Sequence, residues 1–476
     1  MSRAPYVSFR VTPTGRRANA ADIVAAVERE IAAGGLPTGS RLPPVRVLEQ
    51  QLGLSKNTAQ VAYDELGARG LVETRAREGV FVAAPMVGIA AAAPVTSPPL
   101  PIVRPPALMK PENHRGGLAI GTVFIDPELL PSEKLAECAR AVLKQPGLAT
   151  LYDPQGFAPL REQIATRLNA RGIDCEPDEV IVTTGSQQAL DIVARSLEIR
   201  RVALETPVYA YAKLLFETLG LATTGLRLDP FDGIDLAAWD RALATARPGM
   251  LYTITSFHNP TGYSYTTREL LGVLELCARH GVAIVEDDWG SDMLSGSEYR
   301  PMLRVLGGRN VVYVNSFTKK LLPSLRVGFA VADRAIVPSL LAMKRLATLG
   351  NVWLSEAVVA EFLARGYYDG HLAQLQRELD ARYAACLTAL AELMPPGVRW
   401  TTPGGGPTLW LELPRGVAVE AVVAAVARHG VIIDERSAAF VGEPHLTGFR
   451  IGYAAHPPET LARGLAIVAD AIRALM

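Results

Sequence analysis

The 476-residue chain is 49% hydrophobic and 20% charged, and its 48 Lys+Arg are balanced by 48 Asp+Glu. That composition suits two or three domains with large cores and argues against a chain-wide polyelectrolyte. Cys138, Cys175, Cys277 and Cys386 form no Cys-x-x-Cys pair, the seven histidines show no metal-ligand spacing, and no apolar run of signal-peptide or membrane-span length occurs; a cytoplasmic protein with reduced thiols, no resident metal and no membrane partner is expected.

Over residues 21–33, Ile23, Val24, Val27 and Ile31 recur at helical spacing, and Gly34-Gly35 ends the run. A turn, Leu36 to Pro43, opens a second helix over 45–52 that Gly53 stops. Ser55 can cap a third helix, whose Val61, Ala62 and Leu66 suit a buried face and whose first turn offers Lys56, Asn57, Thr58 and Gln60. Residues 71–75 and 79–82 then read as a short hairpin. Two helices joined by a short Gly-containing turn, with polar residues opening the second, is the arrangement that sends a helix into a DNA major groove. Periodicity alone favours a plain three-helix bundle.

Residues 84–116 are Ala-rich and carry Pro94, Pro98, Pro99, Pro101, Pro105, Pro106 and Pro111, the composition of a semi-rigid tether. Beyond Gly117, apolar runs at 180–184, 202–204, 250–254, 282–285 and 311–314 alternate with helical patterns such as 159–170 and 268–280. A mainly parallel sheet covered on both faces follows.

The ends of these strands carry chemistry, and open α/β sheets bind ligands at strand carboxyl ends. Thr184-Gly185-Ser186-Gln187 joins a strand to a helix and can hold an anion. Pro207-Val208-Tyr209 can lay a ring over a flat cofactor, Ser256 to Gly262 offers the Asn259 amide, and Glu286-Asp287-Asp288-Trp289 ends a strand with carboxylates. After the run 311–314 come Ser316, Thr318, Lys319, Lys320 and Arg326. A lysine fixed there can condense with an aldehyde while hydroxyls and an arginine hold a phosphate, as pyridoxal 5'-phosphate requires. Taken singly, each feature is more simply a core side chain or a solvated loop; their conjunction along one sheet is what favours a site.

Residues 19–83 resemble the GntR-type winged helix-turn-helix through the Pro-x-Gly-x-x-Leu-Pro turn, the Leu-Gly-Leu-Ser-Lys-Asn-Thr entry and the Gly-Leu-Val-Glu…Gly-Val-Phe-Val wing. The resemblance implies that Arg46, Lys56, Asn57, Thr58 and Gln60 face DNA, with Gly79 at the wing tip. Arg46 and Lys56 would contact phosphates, and Asn57, Thr58 and Gln60 would read base edges. Gln60 stands where many such proteins have arginine.

Residues 117–476 look like a fold-type I, class I aminotransferase domain, and the whole chain resembles the MocR/GabR-type transcriptional regulators: an α+β winged helix over 1–83, a linker over 84–116 and an α/β effector domain over 117–476. Carried over by motif, Lys319 would bind the aldehyde of pyridoxal 5'-phosphate and act in catalysis, Asp287 would pair with the pyridine nitrogen, Tyr209 would stack on the ring and Asn259 would bond its oxygen. Ser186, Gln187, Ser316, Thr318 and Arg326 would surround the phosphate, Tyr152 would reach the neighbouring subunit's cofactor, and Arg450 would grip an effector carboxylate. The resemblance further implies a head-to-tail homodimer, double-stranded operator DNA as partner, and an amino compound or the cofactor itself as signal. A working aminotransferase with an accessory N-terminal domain is the competing reading. Two departures stand out: Trp289 replaces an expected tyrosine, and the His-Asn-Pro-Thr-Gly turn is closer to that of working aminotransferases than to the regulators'.

Overall fold

The computed structural model describes residues 5–15, 18–76, 78–84, 116–145, 153–293, 301–433 and 437–476. Two compact units, residues 1–102 and 103–476, make up the chain. The tether expected over 84–116 lies outside the described residues except at its two ends, and Tyr152 lies outside them altogether.

In the first unit, α1 (Ala20–Ala32) opens with a capping box: Asn19 accepts from the Asp22 amide and Asp22 returns a bond to the Asn19 amide. Helix α2 (Val45–Leu52) stops at Gly53, whose φ of 64° is the left-handed value that glycine adopts without strain. Ser55 caps α3 (Lys56–Ala68) by accepting from the Thr58 amide at 3.1 Å. Strands β1 (Val72–Arg75) and β2 (Gly79–Val82) pair antiparallel as the wing. Ile23, Val27, Leu48, Ala62, Leu66 and Val82 close one small core. The buried Tyr63 hydroxyl donates to the Pro43 carbonyl at 2.6 Å, tying α3 to the turn that starts α2.

The second unit starts with β3 (Leu118–Ala119). Its large sheet comprises β4 (Val180–Thr183), β5 (Arg201–Thr206), β6 (Ala222–Asp229), β7 (Gly233–Ile234), β8 (Met250–Thr253), β9 (Ala283–Asp287), β10 (Val311–Ser316) and β11 (Gly328–Val331), in the order 4-11-10-9-8-5-6-7. Strands β10, β9, β8, β5 and β6 run parallel, whereas β11 is antiparallel to both of its neighbours. The five strands expected from apolar runs are present within a few residues; β6, β7 and β11 lacked so plain a run. Strands β4, β5, β8, β9, β10 and β11 are buried almost throughout because apolar clusters cover both faces, as parallel sheets require, whereas β6 and β7 at the edge are mostly half-buried.

A smaller layer follows in β12 (Arg399–Trp400), β13 (Thr408–Glu412) and β15 (Gly448–Gly452), with β14 (Val431–Ile432) pairing with β3. The 27-residue helix Tyr367–Leu393 belongs to three cores in succession: Tyr368 and Leu372 to one face of the large sheet, Leu375 and Leu379 to the other, and Cys386 and Leu390 to the smaller layer. No helix among the described residues is long and apolar enough to cross a membrane.

Candidate cofactor site and DNA interface

Because β9, β8 and β5 run parallel and β10 runs with them, their carboxyl ends open on one side of the sheet. Around them lies a cavity of about 630 Å³, within the range of cofactor sites. Ser186, Gln187, Tyr209, Asn259, Asp287, Ser316, Thr318, Lys319, Arg326 and Arg450 all line it. Every site residue expected in this unit is thus brought together, apart from Tyr152.

Each arrives by a local device. Gly185, at φ 95°, ends β4 and starts the helix Ser186–Ser196, leaving the first amides of that helix open to an anion. Arg326 takes a left-handed φ of 52° and donates through Nη2 to the Thr184 carbonyl at 2.9 Å. A Cβ at Gly185 would lie 2.7 Å from that same Nη2. Gly185→Ala should therefore displace the guanidinium and weaken phosphate binding about tenfold, read as inorganic phosphate's competition with pyridoxal phosphate.

Asp287 is buried at the end of β9. Its Oδ2 accepts from the Tyr252 hydroxyl at 2.9 Å, and its Oδ1 has no hydrogen-bond partner. Burial pushes the carboxyl up to about 7, against the opposing effect of the Tyr252 bond. The buried Thr318 Oγ1 and Gln187 Oε1 likewise lack partners. A protonated pyridine would complete Asp287, and a phosphate could accept from Thr318; the residues present fit pyridoxal phosphate.

Arg450, on β15 and 2% exposed, donates to Asn259 Oδ1 at 2.8 Å through Nη1 and to the Gly121 carbonyl at 2.8 Å through Nε. Lys319 Nζ lies 3.6 Å from the centre of the Phe124 ring, a cation–π contact on the floor of the cavity. Trp289 lines the wall, but its indole N–H donates to the Phe257 carbonyl at 3.0 Å, so its single polar hydrogen is committed away from any cofactor oxygen. Phe124, Tyr252 and the Gly121 carbonyl carry no signal in the sequence. Only the register of β8 against β9, which pairs Tyr252 with Val285, discloses that Tyr252 can reach Asp287.

In the first unit, Arg46, Lys56, Asn57 and Gln60 are exposed, whereas Thr58 is half-buried and its hydroxyl sits 2.8 Å from Ser55 Oγ. Gln60 Nε2 donates to Asp64 at 2.9 Å, one helical turn on. Gly79 begins β2, just after the wing turn, with the Arg41 side chain beside it.

Known proteins share both units. Residues 117–468 match the model for aminotransferase class I and II, and residues 19–82 match that for bacterial regulatory proteins of the gntR family. The "2-aminoadipate transaminase" of Thermus thermophilus is 33% identical over 377 residues, 78% of this chain and 93% of that protein. The crystal structure of LysN, an alpha-aminoadipate aminotransferase from Thermus thermophilus complexed with N-(5'-phosphopyridoxyl)-L-leucine, has a TM-score of 0.71 at 33% identity and covers 76% of this chain and 93% of that one. The protein is therefore a GntR-type winged helix joined to a fold-type I aminotransferase fold, a fold family that depends on pyridoxal 5'-phosphate. Along nearly its whole length it is also 30% identical to the "Probable rhizopine catabolism regulatory protein MocR" of Rhizobium meliloti, covering 94% of this chain and 92% of that one. The chain belongs to the MocR-type family of transcriptional regulators.

Proposed function

We infer that this protein binds operator DNA through α3 and the wing, holds pyridoxal 5'-phosphate on Lys319, and responds to an amino compound or to the cofactor itself. The observation that carries this reading is the convergence of Lys319 and the half-partnered Asp287 on one cavity. When bound, the cofactor supplies an electron sink for an amino acid's Cα bonds. Asp287 would keep a proton on the pyridine nitrogen, Tyr209 would cover the ring, and the amides at Ser186 with Ser316, Thr318 and Arg326 would hold the phosphate. Arg450 takes a carboxylate on its guanidinium fork in exchange for Asn259 Oδ1. Lys319 would yield its place to an incoming amine and would then be positioned to carry the Cα proton.

Sensing needs only the displacement. A ligand that favours one arrangement of the chain by about 1–3 kcal/mol changes operator affinity severalfold to a hundredfold. Two chains pairing head to tail, with Tyr152 contributing to the partner's site, completes the reading. Visible absorbance and DNA affinity followed together during titration with amino acids is the decisive experiment: no salt-sensitive binding to any DNA sinks the regulator reading.

On the DNA side, Lys56→Ala should weaken binding to all sequences alike and lower the slope of log K against log salt by about 1, whereas Asn57→Ala should cost about 1–3 kcal/mol at one base pair only. Gel-shift titrations over a range of salt separate the two.

A second reading, a working aminotransferase, draws support from the 33% identity with a transaminase and from Asn259 in its His-Asn-Pro-Thr-Gly turn. Sustained turnover with a panel of amino and keto acids would favour it.

A further inference from the structure

Behind the cofactor cavity lies a second, smaller void of about 50 Å³, lined by Arg171, Asp292, Asn315, Phe317, Lys320 and Tyr368 among others. The two spaces share their backbone. Along β10 and its extension, Ser316 and Thr318 face the cofactor cavity while Asn315 and Phe317 face the void, as strand alternation dictates. The tandem residues divide likewise: Lys319 lines the front and Lys320 the back, and Asp287 lines the front while Asp288 turns away from it.

The rear cluster is largely buried, with Arg171 at its partly exposed edge, and almost fully bonded. Lys320, 1% exposed, donates from Nζ to Asp292 Oδ1 at 3.0 Å and to Asn315 Oδ1 at 2.8 Å. Its carbonyl lies 2.6 Å from His371 Nε2, on the long helix Tyr367–Leu393. From the same helix Tyr368 donates to Asp292 Oδ2 at 2.9 Å. Asp288 accepts from the Tyr313 hydroxyl at 2.5 Å and from Ser291, with Arg171 Nη2 at 3.8 Å. Lys320 and Arg171 thus face Asp292 and Asp288, while Arg167, which also lines the void, pairs with Asp369 at 2.5 Å, so the charges balance. Burying so many charged groups is costly, and hydrophobic side chains would fill the space at a smaller desolvation penalty; a positional or electrostatic task accounts for keeping them.

We propose that Lys320 is a positioning residue of the cofactor site: held from behind by Asp292 and Asn315, it fixes the loop that carries Lys319 and places a cation behind the Asp287 carboxylate. The proposal rests on the reading that the front cavity takes pyridoxal phosphate. Asp287 feels the Lys320 charge as a lowering influence, opposed by burial and by Asp288 and Glu205. Without Lys320 the carboxyl takes up its proton at higher pH, and a protonated Asp287 no longer pairs with a pyridine nitrogen that carries its own proton.

The test is the dissociation constant for pyridoxal phosphate, read from visible absorbance between about pH 6 and about pH 9, in the wild type and in Lys320→Met. Expected is a loss of about tenfold at pH 6 that closes as the pH approaches 9, with Lys320→Arg restoring most of the affinity. A purely structural loosening would weaken binding equally at every pH, and that result, or unchanged affinity throughout, overturns the proposal. Should Lys320→Met fail to fold because Asp292 is left buried and unpaired, the double variant Lys320→Met/Asp292→Asn removes both charges and carries the same prediction. A wild type that shows no visible band at all overturns instead the cofactor reading beneath it.

Discussion

Lys319→Ala should abolish the visible absorption that the wild type acquires with pyridoxal phosphate, while a weaker and rapidly reversible affinity for the cofactor should persist. The persistence follows from the construction of the site. The phosphate cup proposed at the helix starting at Ser186, with Thr318 and Arg326, and the Asp287 carboxyl line the same cavity as the lysine but do not depend on its side chain. What is lost is the amine that condenses with the aldehyde. If the protein also turns over, the rate falls by the value of a positioned base, on the order of 10²–10⁴-fold. If it only senses, DNA affinity ceases to respond to added amino acids, because no exchange of amines remains to report. The Phe124 ring against Lys319 Nζ makes the variant informative in a second way. Alanine leaves a space over Phe124 that a small amine can enter, so methylamine should partly restore the absorption. A visible band that survives in Lys319→Ala removes the residue from this role.

Much of the site was legible because parallel sheets concentrate chemistry at strand ends, and strand ends are readable where buried runs stop. Val311–Val314 and Val282–Val285 are continuous apolar segments, so the residues just after them, Lys319 and Asp287, could be placed without coordinates. In β6 the pattern Ala-Thr-Thr-Gly-Leu-Arg-Leu-Asp alternates only in its second half, and Gly225 dilutes the first, so no strand stood out there. The smaller layer was illegible for a different reason: β12, β14 and β3 are two-residue strands whose existence depends on what lies beside them. The same holds for Tyr252 and Phe124. Their sequence surroundings are those of ordinary core residues, and only the register of β8 on β9, or the return of the segment before the first helix of the unit to the sheet, gives them a function. The rear cluster was hidden for a related cause: the pairs Lys319-Lys320 and Asp287-Asp288, taken singly, read as solvated loop residues, and it takes the sheet's second face to show that Lys320 and Asp288 are buried as well.

Asp287→Asn should separate stability from cofactor binding in opposite directions. In the apo protein the Asp287 carboxyl titrates at about 7, against an ordinary value of 3.8 for the unfolded chain, and burial is the main cause. The folded state therefore holds this proton more tightly than the unfolded state. Stability from this group is present below about pH 4 and is lost as the pH rises through about 7, since there the folded chain must carry an ionised carboxylate that water no longer solvates. Asparagine keeps an oxygen for the Tyr252 hydroxyl and carries no charge. At about pH 8 the apo variant should be more stable than the apo wild type, by on the order of 2 kcal/mol, and at about pH 4 the two should melt together. Adding pyridoxal phosphate reverses the order. The wild type gains a buried ion pair with the pyridine nitrogen, whereas the variant forgoes about 3–5 kcal/mol of it and shows little thermal shift. Melting curves at both pH values, with and without cofactor, give all four quantities. An apo variant less stable than the wild type at about pH 8 would mean that the carboxylate is satisfied from within the protein, and Asp287 would then lose its place as the partner of the cofactor nitrogen.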